Sequence, residues 1–136
     1  MSAPLSRILE DDTAPVATAA SGTEVIGQAP FKGTVAKVEY IPSAAITGAN
    51  TNTRAFRLVN LGQAGAGSTL AASLQADAGV NFTANDEKVI TLSGTAANLV
   101  VAEGDTLQWQ SNAVGTGIAD PGGTVRVTLA RGDVSS

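Results

Sequence analysis

Apolar and polar residues alternate with a period of two in short runs from Gly22 onward. In Thr34–Ile41, Ala36, Val38 and Tyr40 share one face and Lys37 and Glu39 the other, and Pro42 limits the run. Arg54–Val59 sets Phe56 and Leu58 against Arg57. Thr69–Gln75 brings Leu70, Ala72 and Leu74 into phase, and Lys88–Ser93 aligns Ile90 with Leu92. Asp105–Ser111 turns Leu107 and Trp109 inward against Gln108 and Gln110, and Thr124–Arg131 turns Val125, Val127 and Leu129 inward against Arg126, Thr128 and Ala130. Successive side chains of a strand point to opposite faces, so this alternation predicts half-buried antiparallel strands. Turn chemistry separates the runs at Gly48-Ala49-Asn50, Gly62–Gly67, Asn85-Asp86, Glu103-Gly104-Asp105 and Asp120–Gly123. With Gly22–Gln28 the pattern predicts an all-β chain of about seven or eight strands. The expected fold is an antiparallel β-sandwich, jelly-roll or immunoglobulin-like. No internal repeat is visible, which argues against a solenoid or propeller.

The first residues read differently. Residues 1–29 hold one basic residue against four acidic ones, a net −3, whereas residues 30–136 hold seven against eight, a net −1. Leu5, Ile8 and Leu9 fall at i, i+3 and i+4, enough for one amphipathic helical turn, which is too short to be stable without packing. Residues 1–22 are therefore expected to form an extended N-terminal arm with a short apolar hook, followed by a sandwich domain over 23–136. A frayed terminus and a first edge strand of the same domain are the alternatives. Leu5, Ile8 and Leu9 are the candidate partner-binding residues.

Composition narrows the chemistry. The 136 residues include no Cys and no His, so thiolate nucleophiles, imidazole bases and the usual zinc or copper ligand sets are missing. No enzymatic activity is expected, and no cofactor or metal site. The eight Lys and Arg are scattered in a chain of net charge −4, which disfavours nucleic acid. No apolar run is long enough for a membrane helix, and Glu10-Asp11-Asp12 arrives before any secretory-type apolar stretch, so synthesis in a cytoplasm is expected.

The remaining motifs have ordinary explanations. Gly62–Gly67 lacks phosphate-loop spacing and is followed by a strand-like run, so it reads as a hairpin loop. Arg131-Gly132-Asp133 reads as a C-terminal turn, and Asn81-Phe82-Thr83 carries meaning only in a secretory pathway. Glu10-Asp11-Asp12 lacks the spacing of a calcium loop and reads as a solvated acidic patch. The acids at Asp86-Glu87, Glu103, Asp105 and Asp120 fall in turns rather than in a cleft pair. Trp109 and Tyr40 are phased with apolar neighbours, so both are expected in the core.

Several stretches, taken in order, resemble a known family. They are Tyr40–Arg54, Leu58–Gly65, Ala97–Asp105 and Gly115–Gly123, and together they span most of 33–131. Their order is similar to that in capsid decoration (cement, or minor capsid) proteins of tailed bacteriophages. The resemblance implies a non-enzymatic virion protein on the capsid exterior, bound as a homotrimer to the major capsid protein and stabilising the icosahedral shell. The family shares no functional motif, so no binding residue carries over by position. Residues 1–29 lie outside the similar stretch. The competing expectation is a carbohydrate- or receptor-binding sandwich module of a phage fibre or surface protein.

Overall fold

Each alternating run falls within or against a strand of one of two antiparallel sheets in the computed structural model, which describes residues 6–131. The strands are β1 (Ser6–Thr13), β2 (Gly22–Gln28), β3 (Gly33–Pro42), β4 (Thr53–Gly62), β5 (Thr69–Gln75), β6 (Lys88–Val89), β7 (Val100–Val101), β8 (Thr106–Val114) and β9 (Gly123–Arg131). A 3-10 turn, Ala96–Leu99, precedes β7. One sheet runs β1-β9-β3-β6, with β7 also paired to β3, and the other runs β2-β8-β4-β5. Most connections pass from one sheet to the other, so the chain wraps around the core. Of the two expected sandwich types, this strand order is the jelly roll.

The inner faces meet in one apolar core. Val35, Val38 and Tyr40 of β3 and Val125, Val127 and Leu129 of β9 face Phe56 and Leu58 of β4 and Leu107 and Trp109 of β8. Tyr40, Phe56, Phe82 and Trp109 cluster with ring centroids 5.0–6.2 Å apart, the range of favourable tilted and stacked contacts. Four of the five aromatics thus sit in one cluster, and Leu, Ile, Val and Ala side chains close the rest of the core.

Two bulges correct the expected facing. The pairing of β3 with β9 shifts register between Val35 and Lys37, so Val35 joins Val38 and Tyr40 inside while Ala36 is exposed. The pairing of β4 with β5 shifts between Leu58 and Val59, where Leu58 faces Ala72 and Val59 faces Leu70. Leu70 therefore turns outward and Ala71 enters the core. A bulge inserts one residue into a strand and inverts the phase beyond it.

The first residues are also corrected in part. Leu5 lies outside the described residues. From Ser6 the chain is extended, but it forms no helical turn: all eight residues of β1 pair with β9, from Ser6 opposite Ala130 to Thr13 opposite Gly123. A strand satisfies backbone groups that an isolated helical turn would leave to water. Its period of two separates the other candidates. Leu9 points inward onto the core, and Ile8, 53% exposed, points out.

Trp109→Ala should cost about 3–5 kcal/mol in denaturant unfolding, because it removes the largest side chain of the aromatic cluster. Deleting residues 1–12 should lower the thermal midpoint, since it strips β9 of its edge partner; an unchanged midpoint would show that β1 contributes nothing to the domain.

Candidate functional site

Arg54 has the same strand parity as Phe56 and Leu58, and that parity carries its guanidinium into the interior, where the side chain has no exposed surface. Nε donates to the Ile118 carbonyl at 2.6 Å, and Nη1 donates to the Ser111 carbonyl and hydroxyl, both at 3.1 Å. Nη2 donates to the carbonyls of Ala17, Thr18 and Ala20 at 2.9, 3.2 and 3.0 Å. Burial lowers the Arg54 pKa from its ordinary value and the nearby Asp120 charge opposes that shift. A guanidinium remains protonated in any case.

Asp120 completes the cluster. Its carboxylate accepts from the Tyr40 hydroxyl at 2.5 Å, the Gly122 N–H at 3.0 Å and the Ser111 hydroxyl at 2.8 Å. Burial, followed by the bond to and charge of Asp120, raises the Tyr40 phenol well above its ordinary value, so it donates as a neutral hydroxyl. The backbone of Asp120 also exchanges two 2.9 Å hydrogen bonds with Val16. Residues 13–22 and the loop 115–122 are thereby fixed to each other and to β4. Gly117 (φ 76°) makes this close approach possible, because a Cβ there would collide with the Thr18 carbonyl.

A second buried knot closes the opposite end of the sandwich. Asp105 accepts from Asn60 Nδ2 at 3.0 Å, from Gln63 Nε2 and from the Ala102 N–H at 2.8 Å. Burial raises the Asp105 pKa, but these three donors outweigh it and the carboxyl lies below its ordinary value.

Between β1 and β2, roofed by residues 13–22, lies a cavity of about 290 Å³ bordered by Thr13, Val16, Glu24, Trp109 and Ser111. Glu24 stands opposite Trp109 in the β2–β8 register. Glu24 Oε2 and Trp109 Nε1 are both shielded from solvent without a hydrogen-bond partner in the protein. Burial, then the charges of Asp11 and Asp12, raises the Glu24 pKa.

The candidate residues do not converge on this site. Leu5 lies outside the described residues, Ile8 sits on the outer face of β1, and Leu9 lies in the interior against Gly27. Of the acidic run, Asp12 accepts from the Thr124 hydroxyl on the outer face, while Asp11 shares the inward parity of Leu9. Gly62–Gly67 closes a turn through the Gly67 N–H to the Leu61 carbonyl, and the Asn81 side chain accepts from the Gly48 N–H. Arg131 ends β9, and the rest of its tripeptide lies outside the described residues. Among the described residues no group of three acidic side chains is placed to hold a metal ion.

The outer faces differ in charge. On the β1-β9-β3 face, Glu39 lies under Lys37 and Arg126 at 3.3 and 3.1 Å, and Glu10 continues the row opposite Arg126. The outer face of β2-β8-β4-β5 instead carries an amide ladder, Gln110 to Gln108 at 3.0 Å and Asn112 to Gln110 at 3.4 Å. Arg57 is the one charged side chain in that ladder's paired rows, which also expose Val25 (52%) and Leu70 (37%).

Comparisons with protein-family models, curated proteins and solved structures find no match to this chain.

Arg54→Ala should destabilise the fold by about 3–5 kcal/mol, because it leaves the buried loop carbonyls without their donor and Asp120 without a nearby countercharge. Asp105 has a folded pKa below its unfolded one, so its contribution is present above about pH 4 and is lost as pH falls through the folded value. In pH-dependent unfolding, the stability gap between wild type and Asp105→Asn should be widest near neutral pH and close in acid.

Proposed function

We propose that this chain is a capsid decoration protein that binds the exterior of a tailed-phage shell as a homotrimer and stabilises it. The observation that carries the reading is the contrast between the two outer faces. The β2-β8-β4-β5 face presents amides, hydroxyls and two exposed aliphatic side chains with a single cation, and depletion of charge of this kind marks the centre of protein interfaces. We assign this face to contacts within the assembly.

The placement of the family-like stretches adds support. Tyr40–Arg54 and Gly115–Gly123 meet at one end of the sandwich, through Arg54 to Ile118 and the Thr116 N–H to Asn52 Oδ1 at 3.0 Å. Leu58–Gly65 and Ala97–Asp105 meet at the other end, around Asp105. Segments far apart in sequence thus form two contacting pairs. A jelly roll by itself does not discriminate, because that fold hosts both viral capsid and lectin domains. The sugar-binding alternative loses support from the burial of Tyr40, Phe56, Phe82 and Trp109, which removes them as an exposed stacking platform.

The structure changes the role proposed for the first residues. Leu9 is occupied by the chain's own core, which leaves Ile8 and the exposed edge of β1 as the part available to a neighbour. Three linked copies raise the effective concentration of each contact, so modest contacts can hold a subunit on a shell.

Light scattering should give three times the 13.5 kDa chain mass, and the protein should co-sediment with undecorated shells of its phage and raise their rupture temperature. Val25→Asp combined with Gln108→Glu should abolish trimer formation or co-sedimentation while leaving the circular dichroism spectrum intact. A strictly monomeric protein that ignores shells would end this reading.

A further inference from the structure

The cavity between β1 and β2 has features that the shell-binding reading does not use. Trp109 and Glu24 both border it, directly opposite each other in register, and the Trp109 indole N–H and the Glu24 Oε2 are shielded without a hydrogen-bond partner in the protein. Trp109 is only 2% exposed, and a buried polar group without a partner destabilises the fold unless something satisfies it. The surrounding charge is unbalanced. Asp11 and Asp12 act on Glu24 from β1, whereas both ion pairs among the described residues involve Glu39 on the opposite side of the sheet. The one buried cation among the described residues, Arg54, is committed to Ser111, Ile118 and the carbonyls of Ala17, Thr18 and Ala20, with Asp120 as its nearby countercharge.

We propose that this cavity binds a basic residue of a peptide, taking its ammonium or guanidinium group at Glu24 and an adjoining carbonyl oxygen at the Trp109 indole N–H. The carboxylates select a cation and repel an anion, and the indole requires an acceptor close to that cation. A basic residue within a peptide carries both. A neutral sugar could satisfy both hydrogen bonds but would gain nothing from the negative field.

The proposed occupant is a peptide segment of a second protein, chosen by its charge. The inference stands apart from the shell-binding reading, since the partner need not be a shell protein.

The single tryptophan makes the test direct, because the one indole N–H resonance of the 15N-labelled protein reports this cavity alone. Nα-acetyl-lysine N-methylamide should shift it saturably. The norleucine analogue and methyl glucoside should bind at least about tenfold more weakly, a difference of about 1.4 kcal/mol. Glu24→Gln should weaken the lysine ligand by a similar factor, and Asp11→Asn should weaken it less but in the same direction. The proposal is overturned if the glucoside binds as well as the lysine amide, if no ligand moves the indole resonance, or if Glu24→Gln leaves the affinity unchanged.

Discussion

A buried guanidinium needs its donors satisfied, and Arg54 meets that requirement by gathering carbonyls from three separate parts of the chain. Ser111 belongs to β8, Ile118 to the loop before β9, and Ala17, Thr18 and Ala20 to the crossover between the sheets. The planar fork reaches all of them at once, which the point charge of a lysine could not do. Asp120 supplies the compensating charge and ties in Tyr40 and Ser111. The crossover, the last loop and the aromatic cluster are thereby held in one arrangement. The cavity beside Trp109 takes its shape from the same crossover.

The ends of the sandwich are therefore rigid by hydrogen bonding, and its middle is rigid by apolar packing. Asp105 closes one end as Arg54 and Asp120 close the other. Such a scaffold presents broad faces that differ in charge, one crossed by Glu10, Arg126, Glu39 and Lys37 and one lined by Gln108, Gln110 and Asn112. The proposed shell-binding role would use broad faces of this kind rather than a deep cleft. The open edges of β1 and β2 add unpaired backbone groups to which a neighbour can bind.

Alternation located the strands because burial of one face imposes a period of two wherever a sheet packs on a core. The same alternation marks buried polar positions. Arg54 shares parity with Phe56 and Leu58, Ser111 with Leu107 and Trp109, and Glu24 with Ile26, so each polar residue was marked as inward-facing. A polar residue in an apolar phase is the available sign of a buried network. The partners of that network could not be read, because Arg54 and Ala17 are joined only by the fold.

The amino-acid sequence by itself determined the all-β class, most strand positions and the inward placement of Tyr40 and Trp109, since these follow from local periodicity and turn chemistry. Tertiary structure decided the rest. Bulges at Ala36 and Ala71 moved neighbouring side chains to the opposite face, and pairing with β9 made residues 6–13 a strand despite helical spacing at Ile8 and Leu9. The cavity formed where two sheet edges meet beneath a crossover. Each of these depends on which strand lies beside which, and that is set by long-range closure of the sandwich rather than by any local run of residues.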